Sequence, residues 1–293
     1  MRKDYRQRRD GINTFVEWKL IGGGGTGQVY RVPRKDGRGF QAVKVIPLPT
    51  EHGGAFEGNG EYHADIVRMR QQMIQETVEE ARMLSQLHGR GIVPVREIRL
   101  GVQELFWYME YVEGDSLVRI MERKGVLEEQ FVIQTGIQLC RILYILHCHH
   151  PQIVYRDVKP ANILMDSCGK IYLADFGTAW VCGRGSRRDC EPLGTVGYAP
   201  PEQYGHDAVL DGRTDIYALG VTLMELLTGE HPWEQETMEE WTERWRGRIS
   251  TRFLKVIEIC TKSNPEERYP SCLSVRKALC RIDSRRPTGF GSR

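Results

Sequence analysis

The stretch VYRDVKPANILM, Val154 to Met165, sets Asp157, Lys159 and Asn162 close together, and Asp175 follows 18 residues after Asp157 at the head of Asp-Phe-Gly. Branched apolar residues flank the set, as they do in buried strands. An uncompensated charge in such surroundings costs several kcal/mol to desolvate, so the set calls for a ligand with charge to match. An Asp here can accept a proton from an attacking hydroxyl, and a Lys two residues on can neutralise a phosphoryl group in transfer. Asn162 and Asp175 offer the hard oxygen donors that Mg²⁺ prefers when it bridges phosphates. Taken singly, each residue could be a turn or a cap; together they point to phosphoryl transfer.

Two upstream signals point the same way. IGGGGTGQVY holds Gly22, Gly24 and Gly27 in G-x-G-x-x-G-x-V spacing, ending on Val29. Without side chains, such a turn between strands lets backbone N–H groups approach phosphate oxygens. No Lys-Ser/Thr pair follows, so it is not a Walker loop, and a strand rather than a helix comes next, which argues against a dinucleotide fold. Lys44 lies in the apolar run AVKVI, where a lysine on its own would simply reach for the sheet edge. A helix expected from about Asp65 to Leu87 changes that reading. Met73, Thr77, Glu80, Leu84 and Leu87 share one helical face, so Glu80 sits on the inward stripe and needs a cation. Lys44 is the candidate, and Glu76, one turn earlier, is the rival carboxylate.

The elements that must position these groups fall into two halves. TFVEWKLI, QVYRV and FQAVKVI alternate as an antiparallel meander, and two more strands are expected around IVPVREIRL and ELFWYMEYV. Residues 47–64, rich in Pro, Gly and charge, read as a long connection. From Ser116 the chain turns helical: EEQFVIQTGIQLCRILYILH has apolar residues at helical spacing. DIYALGVTLMELLTG is apolar nearly all round, interrupted by Asp215, Thr222 and Glu225, and reads as a central core helix. The halves join near Tyr111–Gly114, and clefts between such halves are common ligand sites. The expected division is a basic tail over 1–14, a domain over 15–283 with its halves at about 15–110 and 111–283, and a loose end over 284–293.

With 293 residues, 41 basic and 39 acidic, the net charge of +2 gives no reason to expect nucleic acid or an anionic membrane as main partner. No stretch reaches the roughly 18 apolar residues of a membrane helix, and no apolar run follows the basic start to make a signal peptide. The 8 cysteines include no Cys-x-x-Cys pair. Cys182 and Cys190 share a loop without a nearby histidine, so a zinc site is not expected. Free thiols suit a reducing, cytoplasmic location.

The motifs, in their order, make the chain resemble a eukaryotic-like Ser/Thr protein kinase of the type found in bacteria, over roughly residues 15–283. The resemblance implies an α+β bilobal fold: a small antiparallel-sheet lobe with one helix, and a larger, mainly helical lobe. It implies ATP and Mg²⁺, with Mn²⁺ as a substitute, protein substrates with Ser/Thr acceptors, autophosphorylation, and a monomer or weak dimer. Lys44 would hold the α- and β-phosphates and pair with Glu80, while Asn162 and Asp175 bind metal. Asp157 would orient the substrate hydroxyl, and Lys159 would stabilise the γ-phosphoryl charge. EYVEG would be the hinge, with Met109 as gatekeeper and the Glu110 and Val112 backbones facing adenine. Ile21, Val29, Ala42 and Leu164 would sandwich the purine. GTVGYAPPEQ resembles the end of an activation segment, where Glu202 pairs with Arg268, Thr195 lies near Asp157 and Lys159, and Asp215 holds the catalytic loop's backbone.

Three departures from the family pattern stand out. Tyr155 replaces the usual His before Arg-Asp, with activity expected to survive. The 47–64 connection is long, either a regulatory contact or an inert insertion. Glu191 stands four residues before Thr195, where many kinases carry an activating phosphothreonine. It is expected to offer Arg156 a permanent anion and partial activity without phosphorylation. Ser186 is the main alternative phosphosite, ahead of Thr178 and Thr195. The contrasting readings are a nucleotide-binding pseudokinase scaffold and a small-molecule kinase. Related bacterial kinases often add a membrane helix and a sensor, so the expectation is either a free cytosolic kinase or part of a longer one.

Overall fold

The computed structural model describes residues 5–9, 15–24, 27–50, 60–87, 89–182, 195–204, 210–230 and 238–283. Contacts divide the chain into two compact units, Met1–Glu113 and Gly114–Arg293. The first holds β1 (Tyr5–Arg9), β2 (Phe15–Gly24), β3 (Gly27–Pro33), β4 (Phe40–Pro47), α1 (Gly60–Gln86), β5 (Val95–Leu100) and β6 (Glu104–Glu110). Its sheet has six strands in the order β1-β2-β3-β4-β6-β5, every pair antiparallel.

Alternation gives this sheet two different faces. On one, Trp18, Tyr30, Val32, Val43 and Val45 are buried with Leu20, Phe106 and Tyr108 against them. The Trp18 ring meets Tyr30 at 5.8 Å and Phe106 edge-on at 6.3 Å. The other face carries Ala42, Lys44, Ile46, Leu105 and Trp107, all buried. α1 packs against β5 and buries Thr77, Ala81 and Leu84.

Two sequence expectations shift here. Tyr5–Arg9 belong to no loose tail but add an edge strand, pairing Tyr5 with Lys19 through to Arg9 with Phe15. A strand edge leaves a row of unpaired backbone groups, which a short extended segment can satisfy even when it is charged. α1 begins at Gly60 rather than Asp65. The density of glycine and charge hid its start, although Glu61–Ala64 contain nothing that breaks a helix.

The second unit holds β7 (Gly114–Ser116), α2 (Leu117–Lys124), α3 (Glu129–His147), β8 (Ile153–Val154), β9 (Ile163–Asp166), β10 (Ile171–Leu173) and β11 (Trp180–Val181). It continues with α4 (Gly212–Thr228), α5 (Met238–Trp245), α6 (Thr251–Cys260) and α7 (Cys272–Ile282). Two small antiparallel sheets, β10-β9-β7 and β11-β8, frame the segment between α3 and α4. α3 packs on α4 and α7, and α4 on α6. Side-chain caps start the helices: the oxygens of Ser116, Asp211, Ser250 and Ser271 accept from N–H groups of α2, α4, α6 and α7. Gly229, at φ 70°, ends α4 in the left-handed conformation that glycine adopts without strain. Among the described residues no helix is long and apolar enough to cross a membrane.

α4 is buried along nearly its whole length, and it approaches α6 closely at Gly220. A Cβ there would lie 2.7 Å from the Cys260 Cβ and 2.8 Å from the Thr261 Cγ2. Those atoms are fixed to the α6 backbone, so a larger side chain must push the helices apart. Gly220→Val is expected to destabilise the protein by about 2–3 kcal/mol, lowering Tm by roughly 5–10 °C in calorimetry. An unchanged Tm would mean that α4 and α6 can separate without loss.

Candidate active site

In the first unit, the glycine turn is built by β2 and β3, whose register shifts between Leu20 and Gly22 to place Ile21 at a bulge. Only one of the three motif glycines is demanded by the fold. Gly27 has φ 132°, and a Cβ there would meet the Val45 carbonyl oxygen at 2.4 Å. At Gly22 and Gly24 a Cβ would meet nothing within 4 Å. Packing does not explain these two.

The β3–β4–β6 register pairs Val29 with Lys44, Lys44 with Trp107, and Ala42 with Met109. These side chains therefore leave the sheet on one face. Lys44 is 5 % exposed there, with its Nζ 5.9 Å from the centre of the Trp107 ring. On α1, Glu80 keeps a buried carboxylate oxygen. Glu76 is exposed and accepts from Gln72 Nε2 at 2.8 Å on its own helix. Of the two carboxylates, Glu80 is the inward one. The Glu110 N–H donates to Pro94 at 3.0 Å and its carboxylate pairs with Arg96. Val112 is partly exposed, and Leu164 lies on β9 of the second unit.

In the second unit Asp157, Lys159 and Asn162 converge with Thr195. Asp157 Oδ1 accepts from Thr195 Oγ1 at 2.7 Å, and Oδ2 accepts from Asn162 Nδ2 at 2.7 Å. Lys159 Nζ lies 2.9 Å from Asp157 Oδ2 and donates to Thr195 Oγ1 at 2.5 Å. The Asn162 amide also holds the Asp157 carbonyl at 3.1 Å. With its two N–H donors turned inward, Asn162 presents its oxygen elsewhere. Asp175 is exposed, with Oδ1 accepting from the Gly177 N–H at 3.3 Å.

The loop from Tyr155 to Lys159 has no ladder to satisfy its backbone, so side chains do so instead. Asp215, fully buried at 0 % exposure, accepts from Tyr155 N at 2.8 Å and Arg156 N at 2.7 Å. His147, the last residue of α3, donates its Nε2 proton to the same carboxylate at 2.8 Å. Thr222 Oγ1 bonds the Val158 carbonyl at 3.0 Å and Gln203 Nε2 the Arg156 carbonyl at 3.4 Å. Tyr198 donates to the Glu225 carboxylate. Arg156 and Asp175 have φ of 66° and 54°, the non-glycine residues with positive φ among those described. Such strain persists only where surroundings enforce it, and it gathers at functional sites.

Tyr155 stands where the resemblance expects His. Its ring is fully buried, 5.0 Å from Phe176 and edge-on to it, and its hydroxyl donates to the Ala174 carbonyl. Burial pushes the phenol well above its ordinary range, so it stays neutral. Arg156 Nε donates to the Thr178 carbonyl at 2.5 Å. Arg268 makes a bidentate pair with Glu202 at 2.5 and 2.8 Å, and it donates to the carbonyls of Lys262, Arg213 and Ser263. Glu191, Ser186 and residues 51–59 of the long connection lie outside the described residues.

The sequence reading missed Trp107, His147 and the partners of Thr222 and Glu225. Only the α4 residues left a signal: polar side chains in a helix otherwise buried throughout. The donor set also bears on a metal. Among the described residues no cluster of three or more His, Cys, Asp or Glu could hold one. One carboxylate with one amide oxygen suits Mg²⁺, which keeps waters and is bound largely through a substrate's phosphates rather than by an all-protein cage.

Comparison with known proteins agrees with this geometry. The chain is 31% identical over 234 residues to the receptor protein-tyrosine kinase CEPR2 of Arabidopsis thaliana, covering 78% of this chain and 22% of that protein. It is 31% identical over 265 residues to the serine/threonine-protein kinase PrkC of Bacillus subtilis, covering 86% and 38%. It is 33% identical over 193 residues to the serine/threonine-protein kinase PknB of Mycobacterium leprae, covering 61% and 30%. The matched part thus spans well under half of each relative. The sequence model of the protein kinase domain matches residues 15–289, and the chain belongs to that family.

Proposed function

We propose that the chain is an ATP-dependent protein serine/threonine kinase that phosphorylates hydroxyls of other proteins and of its own chain. The observation that carries the reading is the Asp157 carboxylate, which already accepts a short aliphatic hydroxyl, that of Thr195, beside the Lys159 ammonium. An acceptor Ser or Thr would present the same group to the same oxygen. Asp157 orients that hydroxyl and takes its proton, and Lys159 carries positive charge to the phosphoryl in transfer. Asn162 and Asp175 would hold Mg²⁺, or Mn²⁺ in its place, which would neutralise phosphate charge there. Lys44, kept in line by Glu80, holds the α- and β-phosphates. Gly22, Gly24 and Gly27 lie against phosphate, and Ile21, Val29, Ala42, Leu164 and the backbone of Glu110 and Val112 against adenine.

The relatives include serine/threonine-protein kinases and a receptor protein-tyrosine kinase. The Lys159–Thr195 contact favours the former, because it brackets Asp157 with groups scaled to an aliphatic alcohol. A cytoplasmic location is supported by Cys140, Cys260 and Cys272, free thiols in the buried core. Glu191 remains the proposed source of a permanent anion for Arg156.

The test is transfer of labelled γ-phosphate from ATP to the chain and to a basic protein, for wild type and Asp157→Asn. Wild type should label Ser and Thr, chelation of divalent cations should stop it, and the variant should lose about 10²- to 10⁴-fold in kcat while still binding nucleotide. A wild-type protein that binds ATP but labels neither acceptor would support a nucleotide-binding scaffold instead. The Thr195 contact makes a separate forecast. Thr195→Ser should stay near wild type, whereas Thr195→Ala, which removes a charge-assisted hydrogen bond, should lower kcat about 10-fold or more. Equal kcat for the two variants would show that the hydroxyl has no part.

A further inference from the structure

Lys44 and Trp107 stand directly opposite each other in the β4–β6 register, so both side chains leave the sheet on the face that carries the nucleotide residues of this unit. Both are buried, Lys44 at 5 % and Trp107 at 3 % exposure. The Lys44 Nζ is 5.9 Å from the indole centroid, within the roughly 6 Å over which a ring attracts an ammonium. A second observation bears on why this ring is an indole. Its Nε1–H is buried and has no hydrogen-bond partner among the described residues. Buried indoles normally find one, and an orphan donor is unfavourable. Leucine or phenylalanine would fill the position without that orphan. What indole offers beyond them is the strongest face for a cation of all the ring types.

We infer that Trp107 is a positioning residue for phosphoryl transfer: its ring holds the Lys44 ammonium in place for the nucleotide's phosphates. The inference rests on the proposed role of Lys44. Trp107 acts through that lysine, so its contribution disappears when the lysine's charge does. Space-filling predicts the opposite, a loss that is the same whether or not Lys44 is charged.

The experiment is a double-mutant cycle on the full chain, titrated with a fluorescent ADP analogue and Mg²⁺, with KM for ATP and kcat measured on the active variants. Trp107→Leu should weaken nucleotide binding and raise KM about 3- to 10-fold. Trp107→Phe, a weaker ring, should recover most of that. In the Lys44→Met background neither substitution should weaken binding further. Losses that simply add, or Trp107→Phe as impaired as Trp107→Leu, would overturn the proposal. Thermal unfolding reports whether Trp107→Leu folds; if it does not, the cycle with Trp107→Phe decides alone. Should Lys44→Met by itself leave nucleotide affinity and transfer unchanged, the reading of Lys44 fails first, and the positioning role with it.

Discussion

The second unit depends on a charge in the first turn of an apolar helix. Asp215 has no exposure to water, and an ion in that position is tolerated only if donors replace its hydration shell. Three do: the backbone N–H groups of Tyr155 and Arg156 and the imidazole of His147. The same bonds act on the loop. Arg156 is held at φ 66°, a conformation costing about 1–3 kcal/mol for a residue with a side chain. A hydrogen bond to a charged group contributes about 1.5–3 kcal/mol, so two of them outweigh the strain. Asp157 follows immediately, and its direction is inherited from that enforced turn.

Asp215 does not act alone on α4. Thr222 and Glu225 lie seven and ten residues further on, which brings all three within an arc of about 80° on one side of the helix. Each reaches a different part of the site: Thr222 the Val158 carbonyl, Glu225 the Tyr198 hydroxyl. The helix thus carries its polar groups as a stripe that bonds to the Tyr155–Lys159 loop and to the segment after Thr195, while other parts of its surface pack on α3 and α6. Burial pushes the Tyr198 phenol far above its ordinary range, which keeps it neutral and a donor to Glu225 at neutral pH.

The motif spacing pointed to phosphoryl transfer because such chemistry restricts residue type: few sets other than Asp157, Lys159, Asn162 and Asp175 suit it. Periodicity located β2 to β6 and the central helix, and it singled out Glu80 over Glu76 on the inward stripe of α1. Contacts between distant segments were not legible. His147 meets Asp215 across 68 residues of sequence, and a histidine closing an apolar helix carries no mark of its partner. Nothing in the sequence marks Trp107 within its strand, since its relation to Lys44 is a matter of register, not of composition. The strand at Tyr5–Arg9 was hidden by its charge, because edge pairing needs backbone groups and tolerates charged side chains.

Loop and sheet solve the same difficulty by different means. In the first unit Lys44 is fixed by regular structure, through a register that gives its side chain one face and one cross-strand neighbour. In the second, Asp157 sits where the chain has no ladder, and side chains from remote segments supply the missing hydrogen bonds one by one. Regular structure costs no strain but dictates direction by the pleat, which suits a single cation aimed from a sheet. An irregular loop can aim several groups at one point, as Asp157, Lys159 and Asn162 are aimed, provided that a rigid neighbour holds it. The buried stripe of α4 is that neighbour, which is why the polar residues of so deeply buried a helix bond to the loop rather than merely filling the core.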